Sequence, residues 1–217
     1  MADFGVIPVH NEEKNISRVI IETKKYIPNI IIVDDGSTDN TFETASQLGV
    51  TVLKHSVNLG KGAALKTGCD QALKKGAKRI VVLDGDGQHE PKEIPRFLEA
   101  LKENEMVFSH RKENKAMPLV LKFGNNFINN VSGRLFKIKI KDSQCGYRAF
   151  TAEAYQKIRW SASDYYIETE MIARAGKAGL KYTQIPIETI YADKYKGTTV
   201  IDGIKIVLKM LTEKMLR

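Results

Sequence analysis

Short apolar runs alternate with longer amphipathic stretches through the first half of the chain. FGVIPV (4–9) reads as a strand, and NEEKNISRVIIETKKYI (11–27) as a helix with acids in its first turn. NIIIVDD (29–35) is a second strand, and the next helix starts at Asp39 or Thr41 and runs through Leu48. VTVLKH (50–55) gives a third strand, followed by a helix over about 60–75. RIVVLD (79–84) is a fourth strand, 91–103 a helix with proline near its start, and MVFSH (106–110) a fifth strand. Continuous apolar strands alternating with helices predict an α/β fold with a mostly parallel, three-layer sheet. Ligands bind such sheets beyond the carboxyl ends of the strands. Polar residues gather at those ends: 8–12, 34–39 and 84–88.

After Arg111 the pattern changes. MPLVLKFGNNFINNVSGRLF (117–136) reads as a helix with a broad apolar face, and DSQCGYRAF (142–150) as a turn into a strand. YYIETEMIARAGKAG (165–179) is a helix ended by glycine. The strand LKYTQIPIETIY (180–191), the loop ADKYKGTT (192–199) and a last helix to Arg217 complete the chain. In that helix Ile201, Ile204, Leu208, Leu211 and Met215 form one apolar stripe, with Lys205, Lys209, Lys214 and Arg217 around it. Such a stripe packs on the core or lies on an anionic bilayer. With no repeat or linker, residues 1–217 read as one domain, in halves 1–111 and 112–217.

Composition narrows the setting. A chain of 217 residues, 42% apolar and 28% charged, suits one globular domain. No signal peptide is expected, since MADFGVIPVHNEE turns polar at Asn11, and no run approaches the roughly 18 apolar residues of a membrane span. Cys69 and Cys145 point to a reducing, cytoplasmic setting. The net charge of +8 favours an anionic partner: nucleic acid, an acidic membrane or a phosphate-bearing substrate.

The chemistry concentrates in VVLDGDGQHEPKEI (81–94), where an apolar strand runs into Asp84, Gly85, Asp86, Gly87 and Gln88. Residues i and i+2 of a strand share a side, and like charges so close repel unless a cation lies between them. Oxygen donors of this kind suit Mg²⁺ or Mn²⁺. A dinucleotide-binding fold is excluded, because the first strand runs into PVHNEEKN without the required glycines. GKGAALKTG lacks the spacing of a P-loop. What remains is a site where a metal on carboxylates carries a diphosphate.

VIPVHNEEKNI, IIIVDDGSTDNT, NLGKGAALKTG and LDGDGQHEP resemble, in order and spacing, the motifs of GT-A-fold family-2 glycosyltransferases. DSQCGYRAFTAEAY and YIETEMIARAGKAGLKYTQIPI resemble the polyprenyl-phosphate (dolichyl-phosphate) branch, especially its β-glucosyltransferases. The resemblance implies a metal-dependent inverting transferase moving a sugar from a nucleotide donor to dolichyl or polyprenyl phosphate. It favours UDP-glucose or UDP-N-acetylglucosamine over GDP-mannose, and a peripheral position on the cytoplasmic face of a membrane. Self-association stays open. A family-2 enzyme acting on a glycan or lipid diphosphate is the alternative within the class; outside it stands a non-catalytic anion- or nucleic-acid-binding protein. Dispersed basic residues argue against nucleic acid.

Carried over residue by residue, the family's first loop puts Pro8, His10 and Glu12 beside the base and ribose, with His10 placed to stack where a tyrosine is common. Asp34 or Asp35 accepts a hydrogen bond from the base, Asp34 being preferred, and Lys61 reaches the donor or is solvated. Asp84, Asp86 and Gln88 match the metal-binding triplet, with Gly85 allowing the donor to approach. Arg111, Lys194 and Lys196 match the cations that hold the acceptor phosphate. Met117 and Leu121 replace an Arg and a Ser of the mannosyltransferase pattern, with Lys122 nearby to compensate. Asp142 falls at an aspartate proposed as catalytic in relatives; it orients the acceptor or Arg148, or caps a turn. Glu168 and Glu170 lie where other family-2 enzymes carry a base, and rank below Asp142 because an ionised phosphate hardly needs one.

Overall fold

A computed structural model describes residues 2–112, 133, 136, 138–164, 166–188 and 190. The expected helix over 117–136, Met117, Leu121 and Lys122 included, lies outside the described residues but for Gly133 and Phe136, and Lys194, Lys196 and the last helix lie outside them too. The strands are β1 (Asp3–Val9), β2 (Asn29–Asp34), β3 (Thr51–Lys54), β4 (Arg79–Val82), β5 (Met106–Arg111), β6 (Arg148–Thr151) and β7 (Tyr182–Ile187). The helices are α1 (Ile16–Lys24), α2 (Thr41–Ser46), α3 (Lys61–Lys74), α4 (Ile94–Ala100), α5 (Ala152–Ile158) and α6 (Ile167–Lys177). Among these helices none is long and apolar enough to cross a membrane.

The seven strands form one sheet in the order β3-β2-β1-β4-β6-β5-β7. Only β6 runs against its neighbours, pairing antiparallel with β4 and β5, so the sheet is mostly parallel as expected. The apolar runs are continuous because the inner strands are covered on both faces, while β3 and β7 at the edges are only partly buried. Ile31, Val33 and Val82 join one core with Leu65 of α3, Tyr155 of α5 and Ile172 of α6. Their neighbours Ile30, Ile32 and Val81 join a second core with Ile20 of α1, Ala45 of α2 and Phe97 of α4. Successive residues of one strand therefore serve opposite layers.

Three local departures bear on the site. α1 begins at Ile16, so its first turn holds no acid. Asn11 takes a left-handed φ of 56°, and the backbone N–H groups of Glu12 and Glu13 donate to Thr41 Oγ1 (2.8 Å) and Asp39 Oδ2 (3.2 Å). Those bonds tie residues 11–13 to the loop after β2 and delay the helix. β4 ends at Val82, so Asp84 and Asp86 sit on a turn rather than a pleat. α5, not foreseen from the pattern, starts at Thr151, whose hydroxyl accepts the Ala154 N–H at 3.1 Å.

Candidate functional site

Four strand ends build one rim. At the end of β2, Asp35 is buried, and its carboxylate accepts from the N–H groups of Leu59 (2.9 Å) and Gly60 (2.7 Å) and bonds His55 Nδ1 (2.7 Å). Three of its roughly four acceptor positions are thus used. Asp34 is fully buried and faces the other layer. Its Oδ1 accepts the Ser37 N–H at 3.0 Å, while Oδ2 has only Lys54 Nζ at 3.9 Å, and Lys54 lies over the Phe42 ring.

In the loop after β1, Pro8 is buried beneath the rim and His10 is exposed. His10 Nδ1 bonds the Asp35 carbonyl at 3.0 Å, which leaves one face of the ring toward solvent beside the β2 acids. Glu12 is turned inward, 8% exposed, and accepts Asn15 Nδ2 at 2.8 Å. It therefore shapes the turn into α1.

At the end of β4, a Cβ on Gly85 would lie 2.4 Å from Val9 Cγ1, so this position needs glycine for the turn to close on β1. The Gln88 N–H donates to Asp86 Oδ1 at 2.9 Å, holding the turn in shape. Burial and the Asp84 charge push the Asp86 carboxyl above its ordinary value. Burial opposes ionisation of Asp84 too, but the Lys61 ammonium outweighs it and holds that carboxyl low. His89, lowered by burial, stacks on Tyr147 at 5.0 Å, and its Nδ1 accepts the Asp84 N–H at 3.2 Å.

Lys61 joins the two halves of the chain. Its ammonium lies 2.7 Å from Asp84 Oδ1 and 2.8 Å from Glu168 Oε1, and these partners raise its pKa against the cost of burial. The α3 N-terminus beneath it offers no cradle for a phosphate, because the Ser163 carbonyl accepts the N–H groups of Gly62 (2.7 Å) and Ala63 (3.3 Å). Gly60, at φ 95°, and Gly62 permit this contact, since a Cβ on either would lie 2.3 and 2.2 Å from the Ser163 and Ala162 carbonyl oxygens. Glu170 holds the facing segment: it accepts from the N–H groups of Ser161 (3.0 Å) and Ala162 (2.7 Å) and from Arg174 Nε (2.7 Å). These donors keep its carboxyl below the ordinary value despite burial.

At the end of β5, Arg111 grips Asp142 in a fork, Nε to Oδ2 at 2.7 Å and Nη2 to Oδ1 at 3.1 Å. Asp142 also caps its own turn through the Gln144 N–H at 3.3 Å. The structure pairs Asp142 with Arg111 rather than with Arg148. Arg148 is 1% exposed and spends its donors on the carbonyls of Ser143, Cys145 and Glu168. Cys145 packs beside Ser109, with burial pushing its thiol up to about 11.

Asp84, Asp86 and Gln88 offer oxygen donors of the kind hard divalent cations take. Among the described residues no group of three or more His, Cys, Asp or Glu forms a closed ligand set. Mg²⁺ is commonly held by one or two carboxylates, with substrate oxygens and water completing the shell. The burial and the nearby Asp84 charge that raise the Asp86 carboxyl are both relieved by a cation at such a site. The sequence did not single out Gly146 or His89 for the site, although both lie within or beside quoted motifs. Nor did it show that Glu168 meets Lys61, which depends on contacts over a hundred residues apart.

Residues 6–159 match the family described as Glycosyl transferase family 2. The chain is 35% identical to the UDP-N-acetylglucosamine–dolichyl-phosphate N-acetylglucosaminyltransferase of Methanococcus voltae, over 99% of this chain and 98% of that one. It is 29% identical to the polyprenol monophosphomannose synthase of Mycolicibacterium smegmatis, over 93% and 81%. Its fold is similar to glucosyl-3-phosphoglycerate synthase from Mycobacterium tuberculosis in complex with Mg²⁺ and uridine diphosphate. That match has a TM-score of 0.78 at 18% identity and covers 98% of this chain and 79% of the other. The seven-stranded sheet with acids at its strand ends is thus the GT-A architecture, and the chain belongs to glycosyltransferase family 2.

Proposed function

We propose that this glycosyltransferase moves a sugar, with inversion, from a UDP-sugar to dolichyl or polyprenyl phosphate at a membrane surface. The observation that carries the reading is Arg111, steadied by Asp142 at the end of β5 on the same rim as Asp84 and Asp86. A guanidinium fixed there suits a phosphate acceptor. Glu170, which an alcohol acceptor would need as a base, has its carboxylate engaged by Ser161, Ala162 and Arg174. A phosphomonoester has its second pKa near about 6 and is already a nucleophile. The relative from Methanococcus voltae supports both the UDP donor and the lipid phosphate.

In this reading residues 1–111 hold the donor, except that Arg111 at their edge joins 112–217 in holding the acceptor. The base lies against His10, and its N–H faces Asp35 rather than the Asp34 preferred from the sequence, because Asp34 is turned into the other layer beside Lys54. Asp84, Asp86 and Gln88 would hold Mg²⁺ or Mn²⁺, which would supply positive charge against the diphosphate. Arg111, with Lys194 and Lys196, orients the acceptor phosphate so that one of its oxygens displaces the nucleoside diphosphate at the anomeric carbon. The electron pair of the broken C–O bond leaves with the diphosphate. Incubation with a panel of sugar nucleotides, Mg²⁺ or Mn²⁺ and a short polyprenyl phosphate tests the reading. A glycosyl phosphoryl lipid made from a UDP-sugar supports it; transfer only to a glycan, or tighter GDP than UDP binding, overturns the corresponding part.

A further inference from the structure

Lys61 is a cation lodged inside a carboxylate site, and the surroundings give it little room. A Cβ on Gly146 would lie 2.9 Å from its ammonium and 3.1 Å from Asp84 Oδ2. Glu168, 6% exposed, binds the ammonium through Oε1 at 2.8 Å. Its other oxygen, Oε2, is buried and has no hydrogen-bond partner among the described residues. A buried carboxylate oxygen without a donor is costly, and such a defect in a folded protein calls for an explanation. Arg148 does not supply one, because it meets Glu168 through the backbone carbonyl.

We propose that Lys61 and Glu168 form an internal counter-ion for the metal site. Lys61 neutralises Asp84 while no divalent cation is present. Glu168, as a positioning residue, takes the ammonium on both its oxygens when the cation claims Asp84. This rests on the reading that Asp84 and Asp86 hold the metal. Two positive charges cannot share one carboxylate oxygen closely without repulsion. The flexible four-carbon stem of lysine lets its ammonium shift while the backbone stays fixed. The orphaned Oε2 is then the acceptor that the metal-loaded state uses.

The proposal predicts opposite signs for two neutralising changes. Lys61→Met removes the competing cation, so Mn²⁺ alone should bind roughly tenfold tighter or more. Glu168→Gln leaves Lys61 with Asp84 as its only anion and should weaken Mn²⁺ binding by a similar factor. Free hexaaqua Mn²⁺, counted by its electron paramagnetic resonance signal in a titration of the full chain, gives both values without turnover. Melting curves in EDTA establish that each variant is folded; should Lys61→Met not fold, Lys61→Gln replaces it with the same expected sign.

Opposite shifts support the counter-ion. Shifts of the same sign, or none, with Mn²⁺ binding still lost in Asp86→Asn, overturn it and leave the metal site standing. If Lys61→Met leaves Mn²⁺ affinity unchanged and weakens only UDP binding, Lys61 is a diphosphate ligand and the proposal fails. Mn²⁺ binding equal in wild type and Asp86→Asn, with and without UDP, removes the metal reading itself and the proposal with it.

Discussion

At the end of β2 two aspartates are adjacent; at the end of β4 two are separated by Gly85. Adjacent strand residues point to opposite faces. Asp34 accordingly follows Ile32 into the α1–α2 layer and meets Lys54, while Asp35 follows Val33 toward α3 and gathers Leu59, Gly60 and His55. The two charges never confront each other, and this end of the rim is a frame. At the end of β4 the spacing of two leaves both carboxylates in one turn, and burial together with the Asp84 charge raises the Asp86 pKa. Here the acids are in electrostatic conflict, resolved on one side by Lys61. One pair holds the loops in place, and the other is left short of positive charge.

The largest expected effect comes from breaking the β4 pair. Asp86→Asn should lower turnover by about a hundredfold or more with the fold retained, read by initial rates and circular dichroism; near-normal rates would remove Asp86 from the metal site. Breaking the frame should act first on stability, with donor affinity falling as well at Asp35. Asp35→Ala orphans the Leu59 N–H and removes one of two acceptors of the Gly60 N–H, which keeps Asn58 Oδ1 at 3.0 Å, and should cost about 2 kcal/mol in urea unfolding. Asp34→Asn keeps the acceptor for Ser37 and removes a buried charge, so it should cost less than about 1 kcal/mol. Equal losses at 34 and 35 would show that the two faces are not distinct.

The smallest effect concerns pH. Because the Asp86 carboxyl is raised in the folded protein, its ionisation opposes folding. That cost is absent below the ordinary carboxylate value and grows as pH rises through the folded value. In EDTA, Asp86→Asn should therefore melt a few degrees higher than wild type at pH 7, with the difference vanishing at acid pH. A lower Tm at pH 7 would mean that the two aspartates are not in conflict.

Much of this was written in local pattern. The five parallel strands of the first half announced themselves because each is apolar on both faces, and the acids stood out where those runs stop. The direction of β6 was not legible, since RAFT carries no mark of whether its partners run with it or against it. α5 is only two turns long and depends on the Thr151 cap and packing of Tyr155 and Ile158, so its periodicity is too brief to read. Glu168 and Glu170 look equivalent in YIETEM. Their different fates follow from position on α6: Glu170 meets the backbone of 161–162, and Glu168 meets Lys61. Such distinctions are made by tertiary contact.

The Ser163 carbonyl that caps α3 has a consequence for how the molecule breathes. The Gly62 N–H, 2.7 Å from that oxygen, has its acceptor in the other half of the sequence rather than in its own helix. Its exchange with deuterated solvent therefore times the parting of the 160–164 segment from α3, an opening smaller than global unfolding. A donor that binds across Lys61 should slow this amide and that of Ala63, which shares the Ser163 acceptor, while leaving the amides of the α3 interior unchanged, so that two protons time the closure of the site.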